Sequence, residues 1–260
     1  MARCLTRKQS REQHMIIRKA IFAILLLAIL LIGSILINAG SSYASGNRIS
    51  EEAQYESQSI VDSKPEGIPE YSDDDYILLN DGIPNFNQWD IENIEGEHFS
   101  DLDSLGRCGT AYAMLEHAMM PKEERGAIGE IKPSGWIQRK YEGIVDSDPP
   151  YLYNRCHLIA YALTGQNANE KNLITGTRYM NVTTMLPWEE QVMRYLDRSE
   201  NHVLYRVSPF FKDNELVARG VEMEAYSVED NGEGVCFHVF VYNVQPGIVV
   251  EYLTGDSWPI

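Results

Sequence analysis

The chain has 260 residues, enough for one sizeable domain with appendages, and its 44% apolar content is that of an ordinary globular protein rather than a disordered one. Its formal charge of −16 excludes a protein that holds polyanions over a surface basic as a whole, so any such binding must come from a local cleft. No internal repeat, phosphate-binding P-loop or G-x-G-x-x-G motif occurs, which leaves a nucleotide-cofactor enzyme without support.

In chain order, Arg3, Arg7, Lys8, Arg11, Arg18 and Lys19 precede an uncharged apolar run from Ala20 to Ile37. A positive flank before such a run addresses the chain to a membrane, and residues 1–44 read as a signal peptide or a signal anchor. The run approaches the roughly 20 residues that span a bilayer, while Ser42-Tyr43-Ala44 offers a small-x-small cleavage pattern, so cleavage and retention both stay open. In either case the remainder lies outside the cell, secreted or anchored to the outer face of the cytoplasmic membrane. Residues 45–75 are rich in Asp and Glu, against only Arg48 and Lys64, and read as an acidic, flexible linker.

A folded domain is expected over residues 76–260. Helical character is expected over Gly109–Met119 and again over Val182–Asp197, where Trp188, Val192 and Leu196 recur on one face at four-residue spacing. The last third reads as a meander of strands over Val203–Val207, Leu216–Val228, Val235–Val244 and Ile248–Leu253. Turn signals at Lys212-Asp213-Asn214, Asp230-Asn231-Gly232 and Gln245-Pro246-Gly247 separate them. The fold class is therefore α+β.

About forty residues concentrate Arg, His, Asn and Glu: Asn154-Arg155-Cys156-His157, then Asn167, Asn169 and Asn172, then Thr177-Arg178-Tyr179-Met180-Asn181, and finally Trp188-Glu189-Glu190-Gln191. Here the chain resembles the DNA/RNA non-specific endonucleases of the streptodornase and DNA-entry nuclease type. Their signature is an Asp-Arg-Gly-His strand end, an Asn-rich loop and an Asn opening a helix. Leu105-Gly106-Arg107-Cys108-Gly109, Lys132-Pro133-Ser134-Gly135-Trp136, Tyr205-Arg206-Val207 and Tyr242-Asn243-Val244-Gln245-Pro246-Gly247 extend the resemblance over Asp75–Ile260.

The resemblance implies an antiparallel sheet core with a ββα-metal (His-Me finger) catalytic motif and flanking helices. The implied activity is divalent-metal-dependent hydrolysis of phosphodiesters in DNA and RNA, without sequence preference. His157 takes the position of the general base, a task suited to a neutral imidazole. Asn181 takes that of the metal ligand. Mg²⁺, with Mn²⁺ as a substitute, fits a single neutral oxygen ligand because it keeps most of its waters. Glu189, with Glu190 as the fallback in register, matches a carboxylate that supports the cation. Arg155 and Arg178, and less strongly Arg194 and Arg206, are candidate phosphate contacts, and Asn172 a brace for the loop or the His. The implied partners are nucleic-acid backbone, an inhibitor protein, and the membrane if the N-terminal segment is retained.

Two positions depart from the signature: Asn154 replaces the acid and Cys156 the Gly. Loss of the acid requires another acceptor to fix the tautomer of His157, and the Cys requires a backbone without positive φ. Since Cys108 and Cys156 both lie in family segments, the reading pairs them in a disulfide. A rival reading joins Cys108, Cys156, Cys236 and His238 in a structural zinc site. The same departures keep one alternative class in view, a catalytically inactive, surface-displayed binding module.

Overall fold

The structure, a computed structural model, describes residues 68–260. The apolar run 20–37, the cleavage pattern at residues 42–44 and the acidic stretch up to residue 67 lie outside those residues. Among the described residues no helix is long and apolar enough to cross a membrane.

The elements follow in the order β1 (Tyr76–Leu78), α1 (Gln88–Asn93), β2 (Glu97–Phe99), β3 (Ala111–Leu115), β4 (Tyr153–His157), α2 (Tyr161–Thr164) and β5 (Leu173–Thr177). A π-helical turn (Met180–Thr184) then leads into α3 (Leu186–Leu196), β6 (Val203–Phe210), β7 (Gly220–Ser227), β8 (Cys236–Tyr242), β9 (Ile248–Val250) and β10 (Ser257–Pro259). Six strands form one antiparallel sheet in the order β1-β8-β7-β6-β3-β2, while β4–β5 and β9–β10 are separate antiparallel pairs. The α+β class and the sheet core are as the sequence suggests.

Period-two alternation builds the large sheet. Val203, Tyr205 and Val207 on β6, Val221, Met223 and Ala225 on β7, and Phe237, Val239 and Val241 on β8 all enter one apolar core. Burial of each large side chain there contributes about 1.5–3 kcal/mol, which fixes the register because a one-residue slip would turn every one of them outward. The same core takes Cys156, Ile174, Met180, Met185, Val192 and Leu196, so the β4–β5–α3 unit packs on this face.

The expected helix over Gly109–Met119 is not formed. Ala111, Ala113 and Leu115 are buried while Tyr112 and Met114 are partly exposed, and the segment pairs with both β2 and β6 before a short 3-10 turn at His117–Met119. Its residues are good helix formers, but five residues gain little from local hydrogen bonds, and two flanking strands outweigh propensity.

Asn243 joins the β4–β5 hairpin to the large sheet. Its Nδ2 donates to the carbonyls of Thr175 (3.0 Å) and Ala218 (2.9 Å), and its Oδ1 accepts from the backbone N–H of Thr177 (2.8 Å). Thr177 Oγ1 donates to the Val244 carbonyl, and the Tyr179 N–H donates to Gln245 Oε1. The Tyr242–Gly247 segment is thus a mortise for the end of β5 and the turn that leads toward α3. Asn243→Ala leaves two carbonyls and one N–H buried without partners and is expected to cost about 3–5 kcal/mol, read as a fall in denaturation midpoint.

Candidate active site

β4 and β5 pair with His157 opposite Leu173 and Tyr153 opposite Thr177, and the chain then turns through Arg178 into the π-helical turn and α3. This is a strand-strand-helix unit. Pro187 in the first turn suits the start of α3, where its missing N–H costs nothing. Met185, Glu189, Val192 and Leu196 are buried at helical spacing, so Glu189 lies on the stripe that faces the core.

His157 ends β4 with 6% of its surface exposed. Nε2 lies 3.0 Å from the backbone carbonyl of Asn167, and Nδ1 lies 3.3 Å from Arg125 Nη2. A carbonyl oxygen only accepts, so the ring hydrogen belongs on Nε2, and Nδ1 carries the basic lone pair. The Asn167 carbonyl is therefore the acceptor that the absence of an acid at Asn154 demanded. Burial, aided by the Arg125 charge, lowers the His157 pKa to about 4, so the ring is neutral at physiological pH.

Asn181 sits in the π-helical turn, partly exposed, and among the described residues its carboxamide has no protein hydrogen-bond partner. Such turns insert one extra residue into a helix and re-aim side chains, commonly at functional positions. Glu189 is buried, and desolvation alone raises its pKa to about 8. A half-exposed oxygen donor and a buried carboxyl lacking any cationic partner fit a hard divalent ion, whose charge would draw the proton off Glu189. Cys156 ties the hairpin to the helix: its Sγ is 3.5 Å from Met185 Sδ, and the Glu189 charge acts on it. A Cβ added to Gly176 would lie 2.6 Å from Cys156 Cβ and 2.8 Å from Met180 Cε. The neighbours of His157 and Asn181 in the chain thus meet in one crowded spot.

Of the arginines, Arg178 has a buried Nε with no hydrogen-bond partner among the described residues, a donor fit for an anion. Three other candidates are committed elsewhere. Arg155 donates to the carbonyls of Ile131 and Gly129 and lies over the Trp136 ring, which makes it a brace for the preceding loop. Arg194 pairs with Glu190 at 2.9 Å on the exposed side of α3. Arg206 is buried against Glu224 on the sheet face turned away from the hairpin. Asn172 is also internal, accepting from the N–H of Ile159 and donating to its carbonyl, and so shapes the turn after His157 rather than touching substrate. Arg125 escaped the sequence reading because nothing sets it apart in the polar run from Lys122 to Arg125.

The expected disulfide is absent: Cys108 and Cys156 are free, buried thiols. Cys108 donates to the carbonyls of Glu170 and Leu173, and burial pushes its pKa up to about 12. Cys156 lies under α3, where Gly176 leaves room for it and its backbone φ is not positive. The rival zinc tetrad is not assembled either, since His238 belongs to the opposite face of the large sheet from Cys156. Both thiols are expected to resist alkylation in the native chain and to react fully once it is unfolded without reductant. Mass mapping that finds them linked would contradict this arrangement.

The sequence model of the DNA/RNA non-specific endonuclease family matches residues 88–229, more than half of the chain. The chain belongs to that family. Among solved structures, the nuclease is similar to NucA from Streptococcus agalactiae with magnesium bound, at 25% identity and TM-score 0.64, over 75% of this chain and 91% of that one. NucA without metal matches at 25% identity and TM-score 0.63, over 84% of this chain and all of that one. Sda1 nuclease with bound zinc shares the fold at 24% identity and TM-score 0.59, over 72% and 97% of the two chains. The enzyme is a metal-dependent, sequence-nonspecific endonuclease with a ββα-metal fold.

Proposed function

We propose that this nuclease cuts DNA and RNA chains internally outside the cell, using His157 as general base and Asn181 as the protein ligand of Mg²⁺. The observation that carries the reading is the tautomer of His157: Nε2 is held by the Asn167 carbonyl, and Nδ1, left with a lone pair, can take a proton from water. When bound, the divalent ion neutralises charge on the phosphate and on the departing 3′ oxygen. Mn²⁺ has the same hard-oxygen preference and serves as a substitute.

Asn181 offers its carboxamide oxygen to the cation, and Glu189, ionised by that nearby charge, supports it from the buried side of α3. Arg178 contributes an otherwise unpartnered donor to the phosphate. Arg125, which touches Nδ1 without substrate, moves its guanidinium onto phosphate oxygens and frees Nδ1 for water. Contacts confined to backbone phosphates explain the absence of sequence preference. With a formal charge of −16 and few basic side chains at the site, binding is weak, salt-sensitive and dependent on the cation. Export rests on the basic flank and apolar run of residues 1–37, with the signal-peptide and anchor alternatives distinguished by the mass of the mature N-terminus.

The direct test is digestion of supercoiled plasmid and of a structured RNA with Mg²⁺, with Mn²⁺, and with EDTA. Nicking followed by linear and short products, abolished by EDTA, is expected with both polymers. Binding without cleavage under all metal conditions would leave the inactive binding module in place of this reading.

A further inference from the structure

The sheet face turned away from the hairpin buries a second cluster of ionisable groups. Tyr112, Arg206, Glu224 and His238 stand directly across from one another on β3, β6, β7 and β8, with Glu222 two residues along β7. Arg206, Glu222, Glu224 and His238 are each 3% exposed or less. The segment from Ile83 to α1 covers them. His238 Nδ1 lies 3.1 Å from the Ile83 carbonyl, the Asn85 N–H donates to Glu224 Oε1 at 2.7 Å, and the Arg206 guanidinium sits over the Phe86 ring. Asp90 on α1 is also buried, and its charge reaches Tyr112 at the end of the row.

Two features of this cluster call for a cation. The Ile83 carbonyl can only accept, so the ring hydrogen of a neutral His238 belongs on Nδ1. Nε2 then points a lone pair at Glu222 Oε1, 2.5 Å away, and at Glu224 Oε1, 3.7 Å away. Lone pairs facing one another in a dry site repel unless positive charge lies between them. A histidine whose second nitrogen is held by a backbone carbonyl is also the arrangement that orients a metal ligand. The other feature is charge. Asp90, Glu222 and Glu224 are three buried carboxylates, answered by Arg206, bound to Glu224 Oε2 at 2.5 Å, and by His238 only when its ring carries a second proton as imidazolium. Among the described residues, Glu222 Oε2 is buried with no hydrogen-bond partner.

We propose that Glu222, Glu224 and His238 hold a structural divalent metal ion, separate from the nuclease site, that pins the Ile83–Asn93 segment to the sheet. One ligand atom from each residue lies within 4.8 Å of the others, and an ion enters as the 2.5 Å contact between His238 Nε2 and Glu222 Oε1 opens to the wider spacing of two zinc ligands. One imidazole with two carboxylates suits zinc. Two positive charges, with the ring neutral, balance the three carboxylates and Arg206. The three residues lie on the sheet face turned away from the β4–β5 hairpin, so the contribution of the ion is to stability.

The full chain is purified without chelator, and its metal content is measured in the Asn181→Ala background, where the cation of the proposed nuclease site is disabled. About one zinc per chain is expected there, and a several-fold lower content in Glu222→Gln. Chelation of the Asn181→Ala chain should lower its Tm, and added zinc should restore it, because a ligand of the folded state alone stabilises that state. This second measurement decides the matter even if Glu222→Gln does not fold. Zinc lost with Asn181→Ala would assign the metal to the nuclease site. No zinc, with a Tm indifferent to chelator and added metal, would mean that a proton on His238 Nε2 fills the gap. Either result, or full zinc retained in a folded Glu222→Gln, overturns the proposal. Metal content and Tm report on this cluster whether or not the chain cleaves nucleic acid.

Discussion

His157→Ala is expected to lower the rate of plasmid cleavage at saturating Mg²⁺ by roughly 10³- to 10⁴-fold, the range that a positioned general base supplies. The loss should fall on kcat, since the imidazole contributes to proton removal in the transition state and little to substrate binding. The pH profile adds a second signature. A histidine of ordinary pKa loses half of its neutral form near pH 6.5, whereas burial holds His157 at about 4. The neutral ring is the active form, and it persists as pH falls through 6 and 5. Cleavage limited by this base should therefore be lost only as pH approaches about 4, provided cation is kept saturating. The same shift carries a stability consequence. The folded-state pKa is depressed, so the contribution of this group is fully present above pH 6.5 and declines as the pH falls toward 4. A wild-type acid limb near pH 6.5, or an alanine variant of near-normal rate, would remove His157 from the role of base.

Asn181→Ala should show a different pattern. Its side chain enters as a cation ligand, so the expected effect is a rise of ~100-fold or more in the Mg²⁺ concentration needed for half-maximal rate, partly overcome by excess metal. Asn181→Asp adds charge to the same geometry and should tighten the cation requirement relative to alanine. The requirement should also depend on pH through Glu189. A carboxyl with a pKa of about 8 is largely protonated at neutral pH and must release that proton to support a cation. The Mg²⁺ needed for half-maximal rate should accordingly rise as the pH drops below 8, and that slope should flatten in Glu189→Gln. Equal rate losses for Asn181→Ala at all metal concentrations would argue against ligation.

The outcomes at individual residues show what a linear chain exposes to reading. β6, β7 and β8 were legible because each is long, alternates with period two and ends at a turn signal, so local pattern and final burial agree. α3 was legible for the same reason at helical period, and its buried stripe puts Glu189 inward and Glu190 outward against Arg194. β3 was misread because five residues of ambiguous preference take their state from the strands beside them. The arginines were indistinguishable in sequence. Arg178 keeps an uncommitted donor, Arg155 is consumed by loop carbonyls, and Arg206 is locked under the Ile83–Asn93 segment; only the partners make the difference.

By itself, the sequence determined the α+β class, the order of the late strands and the strand-loop-helix segment that carries His157 and Asn181, because these rest on periodicity and on residues close in the chain. Tertiary structure alone decided the tautomer of His157, the free state of Cys108 and Cys156, the burial of Glu189 and the assembly of Glu222, Glu224 and His238 behind the sheet. Each of those depends on which groups, distant in sequence, are left facing one another once water is excluded. There the cost of an unpaired charge or lone pair, rather than local preference, selects the protonation and the partner.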